Sequence, residues 1–209
     1  MVFVVDDDVS IRESLELLLR QEGFEVETFS SAQQFIAHPR PLVPSCLVLD
    51  LSLPGLNGLE LQRRVAAERS DMPIIFITGH GNVPVAVQAM KAGAVEFLTK
   101  PFNDDVFLSA VRNAIHRSKI LKGREAELQV LKARFARLTP RERDVMARVV
   151  AGSPNKLVGD ELGISEITVK AHRGSMMRKM EANSLAELVN MAARLRLLKP
   201  SAANVPATK

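Results

Sequence analysis

The chain has no tryptophan and no tyrosine, and its nine phenylalanines are its only aromatic residues. Its cores are therefore expected to be aliphatic. There is a single cysteine, Cys46, inside an apolar run. It has no partner for an internal disulfide and reads as a small buried apolar side chain. No run of about 18 consecutive apolar residues occurs, so no membrane-spanning helix is expected. The first residues do not follow a signal-peptide pattern, because three aspartates at 6–8 interrupt it. The cytoplasm is the expected location. What is present is ample apolar material, 46% of 209 residues, enough for one large or two ordinary domains.

Charge of one sign is scarce in each half. Residues 1–115 carry 9 Lys/Arg against 15 Asp/Glu, a net of −6, whereas residues 116–209 carry 19 against 9, a net of +10. An acidic domain followed by a basic one with a polyanionic partner is one reading, and a solvated basic face is the other. Charge alone does not choose between them.

Short apolar runs at 2–5, 24–29, 46–49, 74–77 and 95–98 read as buried parallel strands. Amphipathic stretches near 9–22, 31–38, 58–69, 84–92 and 103–117 lie between and after them. In the first, Ile11, Leu15, Leu18 and Leu19 share one helical face. Such alternation predicts a parallel sheet with helices on both faces. In 116–138, Leu121, Leu128, Leu131, Phe135 and Leu138 follow a/d spacing among charged residues. This predicts a helical linker, either pairing with a second copy or lying on its own domain. The last third is a set of short helices with clear punctuation. Thr139-Pro140-Arg141-Glu142 and Ser184-Leu185-Ala186-Glu187 are capping boxes, Gly163 ends one helix, and Ser165 starts another. Residues 200–209 are rich in Pro, Ala, Ser and Lys and are expected to be disordered. The expected division is 1–117, a linker at 118–137, a helical domain at 138–199 and a tail at 200–209.

Carboxylates recur where the strand patterns end. Asp6 and Asp7 follow the first strand and Asp50 follows the third, facing the crevice where open α/β sheets bind ligands. Several carboxylates at one sheet edge repel unless a cation sits among them. Oxygen-only ligands favour a hard cation, and a few carboxylates plus waters suit Mg²⁺. Thr78 and Lys100 follow the fourth and fifth strands at the same edge. A carboxylate beside Mg²⁺, with a hydroxyl and an ammonium nearby, suits attack on phosphorus and retention of the phosphoryl group. In that reading Asp50 is the nucleophile, Asp6 and Asp7 hold the metal, Lys100 pairs first with the carboxylates and then with the phosphoryl group, and Thr78 donates to the phosphate. The bland alternatives are a helix N-terminus favoured by the dipole for the aspartates, which fits Asp8, and a surface charge for Lys100. His80 overlooks the same edge and reads as an exposed loop residue. His38 also reads as a loop residue.

These residues, with Phe76-Ile77-Thr78-Gly79-His80-Gly81, Met90-Lys91-Ala92-Gly93-Ala94 and Lys100-Pro101-Phe102, resemble the receiver domain of bacterial two-component response regulators of the FixJ type. The resemblance covers residues 1 to about 117. It implies a five-stranded parallel, flavodoxin-like sheet, with Mg²⁺ held by Asp6, Asp7, Asp50 and the backbone carbonyl of Ser52. It further implies Asp50 as phosphoacceptor, Thr78 and Phe97 as a switch pair, Lys100 as the phosphoryl-binding lysine, and a cis Lys100-Pro101 bond. In that family the face of the 84–92 helix and the fifth strand forms a two-fold dimer, which makes Val87, Met90 and Lys91 its expected contacts here.

Leu162-Gly163-Ile164-Ser165 joins two short helices in the manner of a helix-turn-helix. On the second, Val169, Met176 and Met180 form an apolar stripe that reads as core. Lys170, Arg173, Arg178 and Lys179 lie around the rest, a distribution suited to the major groove with phosphates on each side. The stretch from Leu138 to Met180 resembles the LuxR/FixJ-type DNA-binding domain, over about 138–198. By that resemblance Lys170, Ala171 and Gly174 face bases. Asn155, Lys156, Thr168 and Arg173 are the expected phosphate contacts, and the last helix pairs two copies. Gly159 and Gly174 depart from the usual pattern, each expected to cost about 1 kcal/mol of helix stability.

Together the two resemblances imply a phosphorylation-controlled transcription regulator, an activator that dimerises on phosphorylation. A sensor histidine kinase is the expected phosphodonor, with double-stranded DNA and RNA polymerase as further partners and no membrane association. Its catalysis is confined to its own phosphorylation and dephosphorylation. Two other readings stay open. An aspartyl phosphotransferase of the haloacid-dehalogenase type would want an Asp where Ser52 stands. A constitutive DNA-binding protein would carry a vestigial acidic domain.

Overall fold

A computed structural model describes residues 1–79 and 83–197. His80 and the expected disordered tail at 200–209 lie outside the described residues. The chain divides into two compact units, Met1–Gly123 and Arg124–Lys209.

In the first unit, β1 (Val2–Val5), β2 (Val26–Phe29), β3 (Cys46–Asp50), β4 (Ile74–Thr78) and β5 (Glu96–Thr99) form a parallel sheet in the order β2-β1-β3-β4-β5. Val2 sits level with Val26 on one side and Cys46 on the other. Asp50 pairs in register with Ile77, and Thr78 with Thr99. The apolar runs are continuous because both sheet faces are covered. Successive side chains alternate between the two faces. Val2, Val4, Cys46, Val48, Ile75 and Ile77 pack with Leu15 and Leu19 of α1 (Val9–Gln21) and with Phe107 and Val111 of α5 (Asp104–Ala136). On the other face Phe3, Val5, Leu47, Leu49 and Phe76 pack with α2 (Ala32–Ala37), α3 (Gly58–Glu68) and α4 (Val83–Lys91) through Phe35, Leu61, Val65 and Ala89.

The expectation of an aliphatic core needs correction on that second face. Phe3, Phe29 and Phe35 meet with ring centroids 5.6–6.2 Å apart. His38 packs at 5.5 Å from Phe3 and 5.4 Å from Phe29, so it is part of this cluster rather than a simple loop residue. Cys46 is fully buried, as expected, and burial pushes its thiol up to about 12.

The expected linker is not a separate element. α5 runs 33 residues as one helix, and the division between the units falls at Gly123 rather than after 117. Residues 118–122 still serve the sheet. The Ser118 hydroxyl donates to the Asp71 carbonyl at 2.7 Å and accepts the Ser45 amide at 3.0 Å. Lys122 pairs with Asp71 at 2.7 Å, and Arg40 reaches the same carboxylate at 2.8 Å. Burial alone would raise the Asp71 pKa, but Lys122 and the other partners outweigh it and hold the carboxyl below its ordinary value.

In the second unit, α6 (Pro140–Val150), α7 (Asn155–Leu162), α8 (Glu166–Met180) and α9 (Leu185–Arg194) close around Val145, Met146, Val149, Val158, Val169, Met176, Met180 and Leu188. Leu131, Phe135 and Leu138 pack into this core. That is the own-domain alternative for these a/d residues, so they are not free to pair with a second copy. Both expected N-caps form, Thr139 accepting the Glu142 amide at α6 and Ser184 the Glu187 amide at α9, but the second capping box does not close, because Glu187 accepts the Asn183 amide instead. The Thr139 box is reciprocal, with Glu142 accepting the Thr139 amide in turn. Gly163 ends α7 at φ 64, a left-handed conformation that favours glycine. Gly159 is more than a helix cost, because a Cβ there would lie 2.7 Å from the Ile164 carbonyl oxygen. Its missing side chain lets α7 approach the turn before α8.

Candidate functional site

The strand order reverses between β1 and β3, and ligands of open α/β sheets bind at such a switch point, beyond the carboxyl ends of the strands. Asp6 immediately follows β1 and Asp50 is the last residue of β3. Both are nearly completely buried, at 1% and 6% exposure, while Asp7 is exposed. One oxygen from each of Asp6, Asp7 and Asp50 lies within 4.8 Å of the others.

Lys100 reaches in from the end of β5, with Nζ 2.6 Å from Asp6 Oδ2 and 3.7 Å from Asp50 Oδ1. The Lys100-Pro101 bond is cis, as the resemblance implied. Burial pushes the Asp50 carboxyl above the usual carboxylate range; Lys100 pulls it down, Asp6 pushes it up, and the Leu51 and Ser52 amides pull it down. Asp50 Oδ1 is buried without a hydrogen-bond partner. A buried carboxylate oxygen without a hydrogen-bond partner beside two further carboxylates fits a hard divalent cation, for which an all-oxygen donor set is suited.

Thr78, the last residue of β4, is fully buried at the same edge. Phe97 is half-buried, with its ring 6.1 Å from that of Phe76. Ser52 is exposed in the loop after β3. That loop is held close by Gly58, where a Cβ would stand 2.6 Å from the Asp50 carbonyl oxygen and 2.9 Å from Leu51 Cα. The expected dimer residues Val87 and Met90 are 46% and 44% exposed on α4, and Lys91 ends that helix, also exposed. Asp8 caps α1 by accepting the Ser10 amide at 2.8 Å, the bland role expected of it.

Sequence reasoning missed Arg12. Its guanidinium donates to the carbonyls of Asp6 at 2.7 Å and Asp7 at 3.0 Å, fixing the backbone that carries both carboxylates. Its one sequence signal is a position on the first turn of α1, which many surface arginines share.

In the second unit the α8 residues Lys170, Ala171 and Gly174 are exposed. Gly174 faces open space, and Lys170 pairs with Glu166 at 3.0 Å. Arg173 donates to Asn155 Oδ1 at 2.5 Å, which joins two of the expected phosphate contacts, and Lys156 stands exposed next in sequence. The Thr168 hydroxyl lies 2.8 Å from that of Ser165. Lys179 departs from expectation. It is turned to buried Glu142 at 2.7 Å and ties α8 to α6 instead of standing as a free basic group.

Two buried carboxylates and an exposed third, with a lysine, at the edge of a doubly wound sheet, followed in the same chain by a helix-turn-helix unit, define a two-domain regulator with a receiver and a DNA-binding output. Family comparison agrees on both halves. Residues 2–112 match the response regulator receiver domain, and residues 136–192 match the bacterial regulatory proteins of the luxR family. Nodulation protein W of Bradyrhizobium diazoefficiens is 51% identical over 197 residues, covering 93% of this chain and 86% of that protein. The transcriptional regulatory protein FixJ of the same organism is 46% identical, covering 94% and 96%. Among solved structures, the response regulator StyR superposes with a TM-score of 0.79 at 46% identity, covering 92% of this chain and 98% of that one. The chain belongs to the FixJ-type response regulators, the transcriptional regulators of two-component systems. Among the described residues no helix is long and apolar enough to cross a membrane.

Proposed function

We propose that Asp50 accepts a phosphoryl group from a sensor histidine kinase and that this drives dimerisation and DNA binding. The observation that carries the reading is the bare, buried Oδ1 of Asp50 beside Asp6, Asp7 and Lys100. An Asp50 carboxylate oxygen attacks phosphorus and forms a P–O bond. The P–N bond of the donor phosphohistidine breaks, and its electron pair returns to the imidazole nitrogen, which takes a proton from water. Asp6, Asp7, Asp50 and the Ser52 carbonyl hold Mg²⁺, which when bound neutralises phosphoryl oxygens. Lys100 leaves Asp6 for the phosphoryl group, and the Thr78 hydroxyl donates to it. Phe97 then turns from its half-buried position into the space that Thr78 vacates, which reshapes the α4–β5 face.

Val87, Met90 and Lys91 form the two-fold contact on that face. The paired second units then place Lys170, Ala171 and Gly174 against base edges, with Asn155, Lys156, Thr168 and Arg173 at phosphates. The regulator acts in the cytoplasm as an activator that engages RNA polymerase, and it catalyses nothing beyond its own phosphorylation and dephosphorylation.

Sedimentation velocity with Mg²⁺, with and without beryllofluoride as a phosphoryl mimic, tests this. The expected result is a shift from monomer to dimer that Asp50→Asn abolishes and Met90→Glu blocks. A wild-type protein that stays monomeric with beryllofluoride overturns the dimer mechanism.

A further inference from the structure

The outward arc of α8 holds one large apolar side chain among its polar and small ones. Ile167, in the first turn, is 79% exposed. At about 100° per residue, Ile167, Lys170, Ala171, Gly174 and Arg178 fall within an arc of roughly 100°. All five are exposed, and buried Val169, Met176 and Met180 lie on the opposite side. Ile167 therefore shares the arc of the residues that face DNA and lies at its N-terminal end. In a helix-turn-helix the N-terminal residues of the second helix reach base edges in the major groove. Ala171 and Gly174 carry no polar side-chain atom, and Gly174 opens space beside them, so this arc is short of hydrogen-bonding groups. Lys170, the one basic residue near its start, is engaged by Glu166 at 3.0 Å in the free protein.

An apolar side chain at a groove floor has one apolar group to meet, the C5-methyl of thymine. We infer that Ile167 is a specificity-determining residue that selects thymine through its C5-methyl at one position of each DNA half-site, an inference that rests on the DNA-binding reading above. The flanking charges suit this place. Lys170 and Arg178 are exposed on the same arc, so a polyanion is drawn to the surface on which Ile167 stands. A protein partner for an exposed isoleucine would not need these cations around it.

The test uses the full chain activated with beryllofluoride and Mg²⁺. Binding sites are selected in vitro from random duplex DNA with the wild type and with Ile167→Ala. The selected site is then resynthesised with deoxyuridine in place of each thymine in turn, which removes only the methyl. The expected result is one thymine per half-site that the wild type enriches and Ile167→Ala does not. Losing that methyl should weaken wild-type binding about fourfold per half-site, the worth of one buried methyl group. It should leave Ile167→Ala binding unchanged, and Ile167→Val should retain most of the discrimination. Circular dichroism of both variants should match wild type, since the side chain packs on nothing buried. The inference is overturned if Ile167→Ala selects the same thymine, or if deoxyuridine costs both proteins equally. If the wild type enriches no sequence at all, the DNA-binding reading falls, and the inference with it. Retained selection with unchanged thymine preference removes the inference alone.

Discussion

Replacing Glu142 by Gln should loosen α8 in a way that depends on pH. Glu142 sits in the first turn of α6 at 3% exposure, and its Oε2 accepts the Thr139 amide at 2.8 Å and Lys179 Nζ at 2.7 Å. Burial works against its charge, yet Lys179, Ser175 and the Thr139 amide together hold its pKa at about 2, against an ordinary 4.5. A depressed folded value means that the stabilisation is complete above pH 4.5 and is lost as pH falls through about 2. Gln keeps the volume and an acceptor for the Thr139 amide, so the substitution isolates the charge. A hydrogen bond to a charged group contributes about 1.5–3 kcal/mol. The partial exposure of Lys179 keeps the pair below the roughly 3–5 kcal/mol that breaking a fully buried pair costs. At about 1.4 kcal/mol per factor of ten, the slowest amides of α8 should exchange roughly 10- to 100-fold faster near neutral pH. Hydrogen exchange resolved by residue is the assay, because Asp71 in the first unit has the same sign of pH dependence and would blur a global melt. The difference from wild type should shrink as pH falls below 4.5. Unchanged α8 protection near neutral pH, or a difference that persists in acid, refutes the argument.

Three further outcomes follow from the geometry. Gly58→Ala should destabilise the first unit by about 1–3 kcal/mol and slow phosphorylation from a small-molecule donor, because its Cβ meets backbone at Asp50 and Leu51; a normal urea midpoint and rate would count against the close approach. Asp71→Asn should cost about 2 kcal/mol, read as faster exchange in β4, since it leaves Lys122 and Arg40 facing each other across a neutral group. Unaltered β4 protection would show that these partners simply rehydrate. Lys100→Met should lower the melting temperature without metal and enlarge the rise that Mg²⁺ produces, because Asp6 and Asp50 lose their shared cation. Melting that is indifferent to Mg²⁺ in both proteins would mean that the carboxylates do not hold it.

The sheet was legible in the sequence because parallel strands covered on both faces must be apolar throughout, and few other segments need such runs. Strand ends were less so. The backbone ladder continues into Asp50, Thr78 and Thr99, since hydrogen bonding between strands does not depend on side-chain polarity. Residues 24 and 25 dropped out of β2 for a local reason, as the Phe24 amide closes α1 on the Leu19 carbonyl at 3.0 Å. The carboxylate edge was legible as chemistry, because acidic residues directly after apolar runs have one crevice to share.

What stayed hidden is the set of charges whose role depends on a distant partner. Lys179 and Arg178 are adjacent in sequence and alike in composition, yet Arg178 is exposed and Lys179 meets a carboxylate 37 residues away. Helical spacing puts them on different sides of α8, but it does not say that the turn carrying Glu142 packs there. Glu142 itself reads as an exposed cap residue until α8 covers it. The same holds for Asp71, which reads as a loop residue until Ser118 and Lys122 cross it. That crossing is why the sheet-bearing unit extends past the point where the strand and helix pattern ends. Residues that look like the start of a linker by composition are bound to the amino-terminal edge of the sheet.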